Sequence, residues 1–193
     1  MMQALKEKIL QDGLALGTEI VKVDSFLNHQ IDVDFMLSLG REFNRLFSDA
    51  NPTKILTMES SGIAVALSTA MSFGNIPVVF AKKTAPNTMV EDVYAADVMS
   101  FTRGKVSSAR VSKKFLTPED RVLIIDDFLA HGEAAGGLVA IVRQSGATLL
   151  GVGAVIEKEF QGGGAKLLAM GCRLESLAVI TRIVDGQIYF RED

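Results

Sequence analysis

Short apolar runs alternate with helix-forming stretches along most of this chain, and this order constrains the fold more than any other feature. Four runs have the length of buried strands: 54–58, 77–81, 122–125 and 149–156. An alanine-rich stretch that ends near Phe73 and a helical pattern over 133–145, closed by Gly146, lie between them. Apolar strands that alternate with helices predict right-handed βαβ units and a mainly parallel sheet. We therefore expect an α/β fold.

Two helices are predicted ahead of the first of these strands. Apolar residues recur at helical spacing over 3–11 and again over 34–47. Asp12-Gly13 ends the first pattern, and Asp32 is a suitable N-cap for the second. These helices supply apolar faces that can cover a sheet.

The length and charge of the chain narrow its class. At 193 residues it fits one domain, 1–193, better than two. A net charge of −3 indicates neither a nucleic-acid partner nor a membrane surface, and the longest apolar runs are too short to cross a bilayer. The single cysteine, Cys172, cannot form an internal disulfide and is expected to be a buried apolar residue. We expect a cytoplasmic protein.

One long segment, residues 83–114, interrupts the alternation. It is rich in Ser, Thr, Lys and Arg, and two weak alternating patterns within it predict a long hairpin. A segment of this length inside a compact domain is usually functional or disordered. Its Arg103 and Lys105 could close over an anion as a lid, or could be ordinary solvated charges. Elsewhere, Gly162-Gly163-Gly164 predicts a flexible loop.

The strongest motif spans residues 122–134. A buried strand delivers Asp126 and Asp127 to its carboxyl end, and the small-residue loop Ala130–Ala134 then opens a helix. Backbone N–H groups of such a loop form a phosphate cradle, whereas two carboxylates beside it accept hydrogen bonds from neighbouring sugar hydroxyls. The string predicts a phosphorylated-ribose site. The alternative is an ordinary strand-to-helix turn with an Asp N-cap.

With this string, the chain resembles the type I phosphoribosyltransferase family, and nearly all of it resembles the bacterial, xanthine-using branch of that family. The matching segments are Val21-Lys-Val-Asp-Ser-Phe-Leu-Asn28-His-Gln30, Glu59-Ser-Ser-Gly62-Ile-Ala, Val78-Val-Phe-Ala-Lys82-Lys83, Ser100-Phe-Thr102, Asp126-Asp-Phe-Leu-Ala130 and Val155-Ile-Glu-Lys158-Glu-Phe160. The resemblance implies transfer of ribose 5-phosphate from phosphoribosyl pyrophosphate (PRPP) to a purine base, with xanthine expected, in purine salvage. It also implies a homodimer, a mobile lid over about 83–114, and a small hood formed by about 1–33 and 157–193.

The resemblance assigns PRPP contacts to several segments. Asp126 and Asp127 would be the catalytic acids of the ribose site. The 5-phosphate would lie on the loop Ala130, His131, Gly132, Glu133 and Ala134. Pyrophosphate would lie near Ser60, Ser61 and Gly62, in a loop that in this family often contains a cis peptide bond. Lys82 and Lys83 would reach pyrophosphate, in the same or a neighbouring subunit.

The base would lie elsewhere, against Val21, Asn28, Lys158 and Phe160. A lysine ammonium can donate to a purine carbonyl, an Asn amide offers both a donor and an acceptor, and a phenyl face can stack on the ring. Read alone, Asn28 could cap a turn, Lys158 could be a surface lysine at a strand end, and Phe160 could be an ordinary core residue.

The phosphate loop departs from its branch, which usually has Asn-Gly-Gln-Ala where this chain has His131-Gly132-Glu133-Ala134. The Glu133 side chain would repel a phosphate if it faced one, so we expect it to point away while its backbone N–H binds. His131 could compensate when protonated, or could be a loop histidine without a role.

Other classes of protein remain open at this point. A PRPP- or purine-sensing regulator could share the fold, but the 35 N-terminal residues are too few and not basic enough for a winged helix. A phosphoribosyltransferase for guanine or hypoxanthine is also possible, because a few hydrogen bonds decide the choice of base. With two histidines and no Cys/His cluster, no protein metal site is predicted, and Mg²⁺ would be held mainly by PRPP.

Overall fold

A computed structural model describes residues 1–83, 92–100 and 105–192. Of the predicted lid residues, Arg103 lies outside the described residues, and so does the side chain of Lys105. No helix in the described ranges combines the length and the apolar character needed to cross a bilayer.

The elements follow the predicted alternation. The helices are α1 (Gln3–Asp12), α2 (Val33–Leu46), α3 (Gly62–Ser72), α4 (Glu133–Ser145) and α5 (Gly163–Ala169). The strands are β1 (Leu14–Leu16), β2 (Ile20–Lys22), β3 (Lys54–Met58), β4 (Val78–Ala81), β5 (Val93–Ser100), β6 (Lys105–Ser112), β7 (Arg121–Leu129), β8 (Thr148–Lys158), β9 (Leu174–Val184) and β10 (Gln187–Phe190). Short helical turns occupy Asp24–Asn28, Lys113–Phe115 and Glu159–Gln161.

Six strands form the central sheet in the order β10-β9-β8-β7-β3-β4. All neighbours in it are parallel except β9 and β10. The four strands predicted from apolar runs lie together as β8-β7-β3-β4, so the predicted α/β fold with a mainly parallel sheet is confirmed. Because the carboxyl ends of parallel strands meet at one edge, the loops after β3, β4, β7 and β8 are brought together there.

The sheet is covered on both faces, which explains why its strands are continuous apolar runs. Successive residues of β7 alternate between two cores, since side chains in a strand point to opposite faces. Leu123 and Ile125 pack in the core that includes α1, α2 and α3. Val122 and Ile124 pack in the core that includes α4, α5 and part of β5 and β6. All four side chains are fully buried.

Helix α2 begins directly after Asp32, the residue predicted as its N-cap. The backbone N–H of Phe35 donates to Asp32 Oδ1 at 3.1 Å, so Asp32 is the N-cap. This bond satisfies a first-turn N–H that has no partner within the helix.

The predicted hairpin is present as the antiparallel strands β5 and β6. Hydrogen bonds and packing contacts join it to α4 and to the end of β4. Gln144 of α4 accepts from Ala95 N at 3.3 Å and donates to Ala95 O at 2.8 Å. Val98 packs so closely on Gly137 that a Cβ there would lie 2.6 Å from it. Lys82, just after β4, exchanges backbone hydrogen bonds with Arg110 of β6, each 3.0 Å long. The described part of the hairpin therefore packs against the sheet and α4.

The C-terminal third differs from the sequence analysis in two respects. Strand β9 pairs with β8 in the central sheet, although no strand was predicted there. The expectation of a flexible loop at Gly162-Gly163-Gly164 is wrong: Gly162 is the N-cap of α5, and Gly163 and Gly164 are buried in its first turn. The physical reason is close packing against the neighbouring β7–α4 loop, which only residues without a side chain permit.

Candidate active site

Two adjacent acids lie at the carboxyl end of β7. Asp126 and Asp127 are each 7% exposed, and the backbone N–H of Asp127 donates to Asp126 Oδ1 at 3.0 Å. Burial raises the pKa of Asp126 well above its ordinary value, and the neighbouring carboxylate of Asp127 raises it further. Strand β7 therefore holds a buried carboxyl pair that additional hydrogen-bond donors would stabilise.

The β3–α3 loop lies directly beside these acids. A Cβ on Gly62 would lie 2.7 Å from Asp126 Oδ1 and would overlap Thr57 Oγ1, so the first residue of α3 has to be glycine for the helix to lie this close. The peptide bond between Glu59 and Ser60 is cis, as the resemblance implied. The predicted pyrophosphate loop and the predicted ribose acids therefore lie side by side.

The end of β4 joins the same site. The backbone N–H of Lys83 donates to Glu59 Oε1 at 2.6 Å, which ties this segment to the β3–α3 loop. The Lys83 ammonium is near enough to Asp126 to oppose the rise of its pKa. Lys82 is held by its backbone bonds to Arg110. Of the two predicted lysines, Lys83 therefore lies close enough to Asp126 to interact with its carboxylate.

The β7–α4 loop follows the acid pair along the chain and leads into α4. Gly132 takes φ +80, a left-handed conformation that favours glycine, and serves as the N-cap of α4 without a side-chain cap. The side chain of Ser61, the N-cap of α3, makes no capping hydrogen bond either. The amino ends of α3 and α4, near the acid pair, therefore have first-turn N–H groups that receive no hydrogen bond from the side chain of the N-cap residue. Such ends bind anions. Helix α2 differs, because the side chain of Asp32 caps it.

Helix α5 packs against this phosphate-loop candidate. The backbone N–H of Gly163 donates to Ala130 O at 3.0 Å. A Cβ on Gly163 would overlap Ala130 O and would lie 2.7 Å from the backbone nitrogen of Gly132. The start of α5 therefore supports the loop from behind, through contacts between backbones.

The two unusual residues of the loop also contact this segment. His131 Nδ1 lies 3.3 Å from the backbone oxygen of Gln161. Glu133 Oε1 accepts from Lys166 Nζ of α5 at 2.9 Å. The Glu133 side chain is thus directed toward α5.

Lys158, at the end of β8, contacts the N-terminal segment. Its Nζ donates to Glu19 O at 2.9 Å and lies 5.7 Å from the centre of the Phe128 ring. Burial lowers the pKa of Lys158, and the Glu19 carboxylate partly opposes this. An ammonium has three donors, so the bond to Glu19 leaves two for a ligand.

The other predicted base contacts are more dispersed. Val21 is 7% exposed and lies in β2, two residues from Glu19. Asn28 ends the helical turn that follows β2 and is exposed, and Phe160 is 39% exposed in the turn after β8. Among the described residues, no hydrogen bond or ring contact joins Asn28 or Phe160 to Lys158. The structure brings Lys158 and the β1–β2 hairpin together, and the roles of Asn28 and Phe160 stay predictions.

Sequence reasoning missed several residues around the site. Thr57 Oγ1 is buried without a hydrogen-bond partner in the described structure. Glu157 is 4% exposed, accepts from Ser176 Oγ at 2.6 Å and lies against Gly164. A polar residue at the end of an apolar strand was the available signal for Thr57 and Glu157. Nothing in the sequence marks Gly163 or Lys166 as neighbours of residues 130–133.

The described ranges contain no group of three or more His, Cys, Asp or Glu side chains able to hold a metal ion. Asp126 and Asp127 are two adjacent, buried acids beside the β3–α3 loop. Mg²⁺ commonly takes one or two carboxylates, water and substrate phosphates as ligands, so this donor set fits an ion that arrives with a phosphorylated substrate.

Comparison with known proteins gives the family. No protein-family model matches the chain. It is 57% identical over 189 residues to the xanthine phosphoribosyltransferase of Heliobacterium modesticaldum, covering 98% of this chain and 100% of that protein. It is 55% identical to the xanthine phosphoribosyltransferase of Moorella thermoacetica, covering 98% and 96%.

Solved structures support the same fold. The adenine phosphoribosyltransferase of Rhodothermus marinus matches with a TM-score of 0.73 at 18% identity, over 92% of this chain and 99% of that one. The enzyme of Saccharomyces cerevisiae matches with a TM-score of 0.69 at 16% identity, over 91% and 99%. Because these two relatives are more than half identical to the chain over nearly their whole length, the chain belongs to the xanthine phosphoribosyltransferase family.

Proposed function

We propose that this chain transfers the 5-phosphoribosyl group of PRPP to xanthine and releases pyrophosphate. The bond between C1 of the ribose and the pyrophosphate oxygen breaks, a bond forms between C1 and a purine ring nitrogen, and the proton of that nitrogen is lost. The pair of buried acids between two helix amino ends is the observation that carries this proposal. One end would hold the 5-phosphate, and the other would hold pyrophosphate.

The site divides PRPP into three parts. The N–H groups of the β7–α4 loop and of the first turn of α4 would bind the 5-phosphate. Asp126 and Asp127 would accept hydrogen bonds from the ribose hydroxyls, which would stabilise carboxylates that burial otherwise disfavours. The β3–α3 loop, with Ser60, Ser61 and Lys83, would bind pyrophosphate.

Catalysis in this site rests on orientation and charge. The reaction needs no covalent nucleophile. The amino ends of α4 and α3 would hold the 5-phosphate and the pyrophosphate, and this would keep C1 of the ribose near the base. N–H groups and Lys83 would stabilise the charge that develops on the leaving pyrophosphate. A Mg²⁺ ion bound to PRPP would supply further neutralisation of that charge. The β5–β6 hairpin, which packs against α4 and pairs with Lys82, would help to exclude water that could hydrolyse PRPP.

Lys158 would select the base. Xanthine has two ring carbonyls, so one can accept from the Lys158 ammonium while Asn28 or backbone N–H groups donate to the other. Guanine would present an amine to those donors and leave buried groups unpaired, at about 1–3 kcal/mol each. Hypoxanthine would leave one donor without a partner, and adenine would offer Lys158 an amine in place of an oxygen.

A turnover assay tests the proposal. Purified chain, PRPP and Mg²⁺ are mixed with xanthine, hypoxanthine, guanine, adenine or orotate, and pyrophosphate release is followed. The expected kcat/KM is largest for xanthine, then hypoxanthine or guanine, with adenine last among the purines. A preference for adenine or orotate would contradict the assignment. Binding of PRPP without turnover of any base would favour a sensing role instead.

We also propose a homodimer. Leu67 and Met71 of α3 are 54% and 49% exposed, and Phe80 of the edge strand β4 is 39% exposed. These apolar side chains lie on the elements that lead into the pyrophosphate loop and into Lys82-Lys83, so a two-fold pairing there could bring a lysine toward the partner's site. Phe73, just after α3, packs partly against the core and is not part of this exposed set. Light scattering should give twice the monomer mass; monomer alone at assay concentration would contradict this.

A further inference from the structure

An acidic residue lies inside the loop that we assign to the 5-phosphate. Glu133 is the first residue of α4, next to Gly132 at the helix amino end. A carboxylate there interacts favourably with the helix dipole but competes for the same positive end as a phosphate and repels it. The loop therefore needs some feature that keeps this negative charge from weakening anion binding.

The structure contains such a feature on a different element. Lys166 Nζ of α5 lies 2.9 Å from Glu133 Oε1. Lys166 reaches this position because the start of α5 is docked on the loop through the bond from Gly163 N to Ala130 O. Two independent contacts, one between backbones and one between charges, thus join α5 to the loop.

We propose that Lys166 is a positioning residue for PRPP: it holds the Glu133 carboxylate toward α5, away from the bound 5-phosphate, and neutralises its charge. This inference rests on the proposed function and deepens it. Glu133 would contribute its backbone N–H to the phosphate, while its side chain is kept out of the site by a cation 33 residues further along the chain.

A purely structural role would give a different result. The side chains of Lys166 and Glu133 are 55% and 33% exposed, and exposed pairs contribute little to stability. Loss of the pair should therefore leave the melting temperature almost unchanged. Its effect should fall on the affinity for an anion, and should weaken as salt screens the released carboxylate.

Four variants test the proposal: Lys166→Met, Lys166→Arg, Glu133→Gln and the double variant Glu133→Gln/Lys166→Met. In Lys166→Met, KM for PRPP should rise by roughly three- to tenfold, the scale of a carboxylate repelling a nearby phosphate through a largely aqueous medium. The KM for xanthine and kcat should stay near wild type. Lys166→Arg should have the wild-type KM for PRPP. The double variant should have the same KM for PRPP as Glu133→Gln, because a glutamine at position 133 carries no carboxylate for Lys166 to neutralise.

Arg45→Met is the matched control, because it removes a cation from another exposed pair, with Glu42 at 2.8 Å on α2. It should leave the KM for PRPP unchanged. The proposal is overturned if Lys166→Met leaves that KM unchanged, or if the increase persists in the Glu133→Gln background. Calorimetric binding of ribose 5-phosphate to the same variants repeats the comparison without turnover. Failure of the wild type to turn over any base would count against the proposed function, and the binding series would still decide the role of Lys166.

Discussion

The two halves of the candidate site are built differently. The PRPP half lies between β3, β7 and α4, where glycines allow backbones to touch: Gly62 against Asp126, and Gly163 against Ala130. The base half joins the end of β8 to the N-terminal hairpin through the bond from Lys158 to Glu19 O. The first half is built around buried residues, Asp126, Asp127 and Gly62. The second rests on few contacts and on exposed residues such as Asn28.

This difference indicates that PRPP binding and base selection depend on separate parts of the fold. A sugar phosphate has the same charges and hydroxyls whichever base is used, so its site can be fixed by backbone geometry. Base choice depends on a few side-chain donors, which can change without disturbing the sheet. Substitutions in the two halves should therefore affect different kinetic constants.

The largest effect is expected from the acids. Asp126→Asn together with Asp127→Asn should lower kcat/KM for PRPP by roughly 10²–10³-fold, since transition-state contacts of this kind carry several kcal/mol. The circular dichroism spectrum should remain that of the wild type. Near-wild-type kinetics in the double variant would remove the ribose-site assignment.

A smaller and more selective effect is expected at Lys158. Lys158→Met should lower kcat/KM for xanthine by about 10–100-fold, the scale of an unpaired group in a buried site, while KM for PRPP changes less than about twofold. The measurement is steady-state kinetics with each base at saturating PRPP. If the ranking of bases and their rates is unchanged, the base half has been placed wrongly.

Gly163→Ala probes the backbone contact behind the phosphate loop. The added methyl would overlap Ala130 O, so the loop must shift, and KM for PRPP should rise by about tenfold with an unfolding free energy lower by about 1–3 kcal/mol. Gly136→Ala, in the first turns of α4 with nothing within 4 Å of the added Cβ, is the control. Equal behaviour of the two variants would mean that the contact does not position the loop.

The smallest effect concerns stability without substrate. Folding raises the pKa of Asp126 above its ordinary 3.8, so protonation stabilises the fold at low pH, and this contribution is lost as pH rises through the folded pKa. Asp126→Asn should therefore be more stable than wild type at pH 8, with the difference in unfolding free energy shrinking toward pH 4. Urea unfolding at several pH values measures this. A variant less stable at pH 8 would show that the buried charge is well compensated.

Much of the fold was predictable because its signals are local. The apolar runs at 54–58 and 122–125, the Asp32 cap and the Gly146 stop each act through neighbouring residues, and each is present in the structure. The string from Asp126 to Ala134 was likewise visible, because one short segment carries both acids and loop. Strand β9 was not predicted, although it contains the buried apolar run Leu177–Ile180.

The sequence by itself determined the alternation of β3, β4, β7 and β8 with α3 and α4, the family, and the motif from Asp126 to Ala134, because periodicity and contiguous motifs depend on near neighbours. Only the tertiary structure decided which distant residues complete the site. It placed Gly163 and Lys166 against the loop of Ala130–Glu133, and Glu19 against Lys158. Such contacts arise from the packing of α5 and the N-terminal hairpin on the sheet, and no local pattern encodes which residues packing will bring together.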